Sequence, residues 1–327
     1  MLATTQWTVS GIPLSFRVES VVSRSAHTVS SVVTSSPPAG GGSHYRLSLA
    51  LLALSFFNYS FGGLIVRSVE VATPWQMVYW RGAGLAILVF IVLLVRAKSD
   101  FFKQIRGAGR WGLLAGLSAG FSPLGYIFAL QYTTVANTMF ILATIPFITA
   151  ILARLLLKET IARHTLIAIP VAFTGVGVMV GGGFSQGAGT GNLIAISTAL
   201  LFSATVLLLR RGRALNMQPF LLISGSVAVV AATVATGGDV GVPLRDACLL
   251  LFWGAGLTGC GYLIMLFASR HVPSAEITFL MMIEFILSPI WVWMFFDEVP
   301  RTLTIIGGLI VLSAVAGWTF ANATRTR

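Results

Sequence analysis

From Leu47 onward the apolar residues come in long runs, not in two-residue alternation. Ten runs follow one another, at 47–66, 75–95, 111–130, 135–155, 165–181, 192–209, 219–236, 248–267, 274–296 and 303–322, with short polar joints between them. Each is close to the ~20 residues that an α-helix needs to cross ~30 Å of hydrocarbon. Backbone groups in lipid must be satisfied within the segment, which selects helices over open strands. The expected fold is an all-α integral membrane protein with ten transmembrane helices.

Composition agrees with that pattern. The chain is 56% hydrophobic and 9% charged, with a mean hydropathy of +0.89, whereas a soluble domain carries roughly 25% charged residues. The net charge of +11 raises nucleic acid as a partner, but the distribution of the bases argues for topology instead. With the N-terminus placed in the cytoplasm, seventeen of the 21 Lys and Arg residues fall on the inner side, three (Arg67, Arg245, Arg301) on the outer side, and Arg81 inside the second run. The positive-inside rule then places both termini in the cytoplasm, and the location expected is the cell (inner) membrane, multi-pass. The partners expected are a small-molecule substrate and the lipid bilayer, with no nucleic acid; the oligomeric state is left open. Cys248 and Cys260 fall about 18 Å apart along one helix at 1.5 Å per residue, too far to bridge, and are expected as buried free thiols.

Residues 1–46 differ from the rest. They are rich in Ser and Thr, are broken by SSPPAGGGS, and have no sustained apolar core of the kind a signal peptide carries. Arg17, Arg24 and Arg46 against the single acid Glu19 loosely resemble a transit peptide. A disordered tail or an over-extended start is the reading preferred.

The chain also repeats. Residues 129–179 shifted by 139 positions meet 268–318 without a gap, placing Ala136 on Ala275, Phe140 on Phe279, Ile151 on Ile290, Glu159 on Glu298 and Thr165 on Thr304. Identities are few for two apolar stretches, so the order of elements carries the case: each half ends in an apolar run, an acid at the joint and a last run. An odd count of five helices per half puts the second half inverted in the bilayer. The expected division is a tail (1–46), a first repeat (47–181) and a second repeat (192–322), joined by GGGFSQGAGTG.

The stretches ALQYTTVANTMFILATIPFITAILARLLLKE (129–159) and ASRHVPSAEITFLMMIEFILSPIWVWMFFDE (268–298), with Pro146 before Glu159, Pro289 before Glu298 and the pair Gly307-Gly308, resemble the ten-helix EamA family of the drug/metabolite transporter superfamily. The resemblance covers about 47–322 and departs at Ser269-Arg270. It implies a secondary carrier for small metabolites, many members of the family exporting amino acids or related compounds.

Candidate chemistry centres on Glu284, a carboxylate near the middle of the ninth run, where a charge costs about 2.5–3.5 kcal/mol on insertion scales. It either lines a cavity, binding a substrate amine or carrying a proton, or serves as a structural partner between helices. Ser288 lies one turn away on its face. Arg81 is the one base inside a run; it either holds a substrate carboxylate, pairs with Glu284, or snorkels to the interface. Asn137 and Asn58 either line a path or act as interhelical hydrogen-bond glue. Tyr79 and Trp80, with Tyr126, Trp253 and Tyr262, lie deeper than the belt tryptophans and either stack on substrate or fill core volume. Glu159 and Glu298 are expected to cap or anchor turns. Gly112, Gly116 and Gly120, and Gly254, Gly256, Gly259 and Gly261, read as close-packing faces. Pro123, Pro146, Pro170 and Pro289 are expected to kink or break their helices.

No HExxH, Walker loop, Cys/His cluster or catalytic triad is present in the sequence, so no catalytic residue, metal or cofactor is expected and the chain is read as a non-enzyme. Transport energy would come from a gradient. The reading is alternating-access transport of a small metabolite, proton-coupled through Glu284. The alternatives are a passive facilitator or uniporter of the same fold, and a non-transporting membrane enzyme or receptor.

Overall fold

The computed structural model describes residues 42–97, 103, 106–184, 188–211, 219–268, 271–272 and 274–323. Most of the N-terminal tail, the centre of the 181–191 linker, Lys98, Arg213, Ser269-Arg270 and the last four residues lie outside the described residues. From Arg46 onward the chain packs as one unit. Among the described residues nine helical stretches are long and apolar enough to span a membrane, and Phe220–Ala235 is a shorter apolar tenth. The protein is therefore an all-helical multi-pass membrane protein.

In chain order the helices are α1 (Gly42–Tyr59), α2 (Gly62–Ser68), α3 (Pro74–Ala97), α4 (Gly109–Tyr132), α5 (Val135–Leu142), α6 (Ile145–Leu157) and α7 (Arg163–Phe184). They continue with α8 (Gly189–Arg211), α9 (Phe220–Ala235), α10 (Leu244–Phe252), a π-helical turn (Trp253–Gly259), α11 (Cys260–Ala268), α12 (Ser274–Phe296) and α13 (Thr302–Ala323). Outward-facing side chains are apolar: Val95, Leu155, Ile167, Val234 and Phe320 are all more than half exposed. In a soluble protein such a surface would drive aggregation; here it is the surface that lipid covers.

Three of the ten runs are interrupted. The first breaks at Ser60-Phe61, the fourth at Ala143-Thr144, and the eighth winds into the π-turn. Each interruption leaves backbone groups that hydrocarbon cannot satisfy. At the first, Ser60 Oγ donates to the Phe57 carbonyl at 2.6 Å and accepts from Trp291 Nε1 at 2.9 Å. At the second, Thr144 Oγ donates to the Ile141 carbonyl at 2.6 Å and Ser203 Oγ to the Ile145 carbonyl at 3.2 Å. At the third, Asn58 Nδ2 donates to the Leu257 carbonyl at 3.4 Å. Of the four prolines expected to disturb helices, only Pro146 stands at a break, in the first turn of α6; α4, α7 and α12 continue through Pro123, Pro170 and Pro289. Of Pro146 and Pro289, which stand in the two runs that the 139-residue shift relates, only the first therefore marks a discontinuous helix.

Small residues set the packing distances. A Cβ at Gly116 would lie 2.6 Å from the Ile223 side chain, and one at Gly120 2.7 Å from Val227, so α4 and α9 meet almost backbone to side chain. Gly84 does the same for α3 against the end of α10 and the π-turn, where a Cβ would lie 2.6 Å from the Leu251 carbonyl and 3.1 Å from the Ala255 nitrogen. Cys248 and Cys260 are free, as expected, but both are exposed on the outer surface and not buried.

Charges at one end of the bundle tie it shut. Arg67 Nε donates to Glu298 Oε2 at 2.8 Å, and its other nitrogens to the carbonyls of Leu130 (2.9 Å) and Thr133 (3.3 Å) at the end of α4. Glu298 Oε1 in turn accepts the Val135 N–H at 2.7 Å, the first residue of α5. A carboxylate at a helix N-terminus and a guanidinium at a helix C-terminus both sit where the helix dipole favours them. Close by, the buried Asp246 accepts the N–H groups of Val71 (3.0 Å) and Ala72 (3.1 Å), pinning the loop after α2 to α10. Glu298→Ala should lower the melting temperature in detergent, with a loss of about 1–3 kcal/mol, because it strands both Arg67 and the Val135 N–H. Glu298→Gln keeps an acceptor for Val135 and should lose less. Scanning fluorimetry of both variants checks this, and equal melting temperatures for all three proteins would refute it.

Candidate functional site

A cavity of about 550 Å³ runs into the bundle between the two halves of the chain. One end is marked by the exposed residues Glu159, Thr160 and Arg210; the other stops inside the protein at Gly62 and Trp253, and neither Arg67, Glu298 nor Val135 belongs to its wall. A volume of this size fits a small metabolite. Its walls are largely apolar and aromatic, with a few polar groups placed along them.

Arg81 reaches this wall from α3. Its guanidinium carbon lies 4.7 Å above the centre of the Trp253 ring, and Nη2 donates to Thr258 Oγ1 at 3.3 Å. Both partners belong to the π-turn, and the local sequence explains why they meet. Gly254 lets the π-turn backbone press against the Arg81 carbonyl, where any Cβ would collide. The wider π winding rotates Trp253 and Thr258 onto the same side as the arginine, a use of π-turns that is frequent at functional sites. Cation–π contact in a desolvated setting is worth about 2 kcal/mol and offsets part of the cost of holding a charge at this depth.

Glu284 comes from α12 and also faces the cavity. Among the described residues it forms no ion pair, unlike Glu298, which pairs with Arg67, and Glu70 and Asp246, which pair with Arg245. Arg81 and Glu284 thus share one cavity, one from each half of the chain, without neutralising each other directly. Ile145, the position that the 139-residue shift puts opposite Glu284, lines the cavity as well, as the first residue of α6 after its break.

The remaining candidates lie elsewhere. Ser288 is fully buried, its hydroxyl without a partner, and sits against Gly63. Asn137 is buried in a hydrogen-bonded cluster: it donates to Thr133 Oγ1 (3.1 Å) and Asn192 Oδ1 (3.3 Å) and accepts from Thr304 Oγ1 (2.6 Å), joining α4, α5, α8 and α13. Asn58 is spent on the π-turn carbonyl. Tyr79 and Trp80 pack edge to face with ring centres 5.5 Å apart, and Trp80 Nε1 donates to the Val240 carbonyl at 2.8 Å. None of these five lines the cavity.

Tyr59, Gly62 and Thr258 line it without having been singled out from the sequence. The signal for the first two was present in FFNYSFGG, an aromatic and polar patch ending in two glycines within an otherwise aliphatic run.

With this geometry in view, comparison with known proteins is informative. Residues 46–181 match the EamA-like transporter family. The first half of the chain is thus an EamA-like transporter domain. Relatives include the uncharacterised transporter YyaM of Bacillus subtilis, 26% identical over 60% of this chain and 68% of that protein. Solute carrier family 35 member G1 of Mus musculus is 25% identical over 84% of this chain and 78% of its own length. The pseudopaline exporter CntI of Pseudomonas aeruginosa is 24% identical over 82% of this chain and 94% of its own. A solved crystal structure with 16% identity superposes with a TM-score of 0.58 over 85% of this chain and 98% of that one, a likeness of fold.

The cavity should be wet and the outer surface of the bundle should not be. In a Cys248→Ser/Cys260→Ser background, the variants Ala119→Cys and Phe202→Cys, both on the cavity wall, should react with a water-soluble maleimide. The variant Val234→Cys, 77% exposed on the outer surface, should not, because a thiolate does not form in hydrocarbon. The reverse ranking in proteoliposomes would show that the cavity is closed to water.

Proposed function

We propose that this transporter moves a small amphipathic metabolite, an amino acid or a related compound, outward across the cell membrane by alternating access, with Glu284 as the coupling or amine-binding carboxylate and Arg81 as its cationic counterpart. The observation that carries the reading is the cavity itself: open at one end, shut at the other, and holding one unneutralised charge from each half of the chain. The positive-inside count assigns the open, Arg210-bearing end to the cytoplasm.

Support for two inverted repeats comes from register. The 139-residue shift that carries Val135 to Ser274 also carries Leu157 to Phe296, Arg163 to Thr302 and Phe184 to Ala323, so the starts of α5 and α7 and the ends of α6 and α7 meet the bounds of α12 and α13. Among the described residues the two non-glycine residues with left-handed backbone, Lys158 (φ 56) and Asp297 (φ 52), are related by the same shift. Such a conformation is uncommon outside glycine, which makes its recurrence at matched positions informative.

The repeat makes the two ends of the bundle comparable, and they differ. Glu298 is engaged with Arg67 and the start of α5, while its mate Glu159 is exposed at the cavity mouth. In alternating access these roles exchange: the Glu298 contacts release as the Glu159 end closes. The name of CntI, an exporter, supports outward movement.

A panel of radiolabelled amino acids in liposome counterflow tests the reading. Wild-type protein should exchange at least one of them and respond to an imposed pH gradient; Glu284→Gln should keep the fold, lose the response to the gradient and flatten the pH profile. An unchanged rate and an unchanged profile in that variant would remove Glu284 from coupling. Counterflow with no response to a gradient in the wild-type protein would favour the uniporter.

A further inference from the structure

The closed end of the cavity holds more hydrogen-bond donors than the protein uses. Arg81 Nε and the hydroxyls of Tyr59 and Tyr126 are buried without any partner, although all three side chains contribute to the cavity wall. Buried polar atoms are nearly always satisfied in a native fold, so three orphans on neighbouring side chains need a physical reason. Two of the three meet at Trp253, and the third borders the same cavity. The arginine lies over the Trp253 ring, Tyr126 packs edge-on to it with ring centres 6.3 Å apart, and Tyr59 ends α1 at the break that Gly62 follows.

Gly62 is the gap between them. A Cβ built on it would stand 3.4 Å from Trp253 Nε1 and 3.6 Å from the Tyr126 hydroxyl, which is ordinary contact and not a clash. The neighbouring glycine is different: at Gly63 a Cβ would lie 2.8 Å from Val135 and 3.0 Å from Ser288 Oγ, so packing requires that one. Packing does not require Gly62. What its missing side chain leaves is a small space bordered by an indole N–H and a phenol, beside a guanidinium whose Nε is unused.

The geometry points to an oxyanion subsite at the break in the first membrane run, in which Arg81, Trp253, Tyr126 and Tyr59 surround the acidic group of the substrate over Gly62. Arginine and indole nitrogens can only donate, and a phenol donates readily to an anion. A set of donors of this kind suits a carboxylate or a phosphoryl group and repels an ammonium. The proposal deepens the transport reading and rests on it for the identity of the cavity as a substrate site.

The test uses three small probes that share a phenyl ring: 3-phenylpropionate, phenylphosphonate and phenethylamine. Binding to purified full-length protein in detergent is followed by thermal shift and by tryptophan fluorescence, and each probe is then tested for counterflow in liposomes. At least one oxyanion probe should bind at millimolar concentration in preference to the amine, and the stronger of the two tells carboxylate from phosphoryl. Tyr126→Phe should weaken that binding about tenfold, while the ligand-free melting temperature stays the same or rises, because the variant removes an unpaired hydroxyl. Gly62→Ala should also fold as the wild type and lose the binding. A purely structural tyrosine would give the opposite result, a lower melting temperature with binding unchanged, and would overturn the proposal. Binding of the amine alone, or of no oxyanion probe, would overturn it too. Counterflow of the amine alone would do so while leaving the carrier reading intact, whereas an oxyanion that binds without counterflow upholds the subsite and counts against the carrier.

Discussion

Everything in this structure answers to one constraint: a backbone N–H or C=O inside a bilayer needs a protein partner, because water is absent. Unbroken helices meet it without help. A substrate site in the middle of a membrane demands irregular backbone, and the three irregular places in this bundle are each held by side chains from elsewhere in the chain. Ser60 is met by Trp291 from α12, the carbonyl of Ile145 by Ser203 from α8, and the carbonyl of Leu257 in the π-turn by Asn58 from α1. The break in the first run and the π-turn both border the cavity. The polar residues that permit a site are therefore mostly not the residues that form it.

The same distinction separates the charges. Arg67 and Glu298 are fully engaged with each other and with the ends of α4 and α5, and Asp246 is engaged with the N–H groups of a loop. Their work is to close one end of the bundle, and desolvation there is compensated by hydrogen bonds. Arg81 is held by one hydroxyl and one aromatic face, and Glu284 by no ion pair. Charges left incompletely satisfied at membrane depth carry a cost that packing alone does not repay, and a ligand or a proton that arrives in the cavity can.

Much of the architecture was legible in the chain itself. Ten apolar runs gave the spans, and the register of 139 residues that so few identities support reappears in helix bounds and in the left-handed pair Lys158 and Asp297. Glu284 and Arg81 could be picked out because a charge in an apolar run is expensive wherever it points. Asn137, Asn58 and Ser288 looked equally polar in the sequence, yet they face other helices and not the cavity, since hydropathy gives the depth of a residue but not its direction around the helix. Tyr79 and Trp80 differ from Arg81 for the same reason: immediately before it in sequence, they point to a loop carbonyl and to each other. Proline marked a break at Pro146 alone. Three of the four lie in helices that continue past them, because neighbouring groups can absorb one missing N–H.

What the sequence determined by itself is the fold class and which charges lie inside apolar runs, since both follow from how often and at what spacing apolar residues recur. The tertiary structure alone decided where the cavity is. Trp253 and Thr258 meet Arg81 only because the eighth run winds as a π-turn and Gly254 lets two backbones touch. Gly62 becomes a gap among donors only because its own helix breaks beside it. Close approach between segments distant in the chain leaves no periodic mark in the sequence, and it is close approach that turns an apolar bundle into a cavity with chemistry.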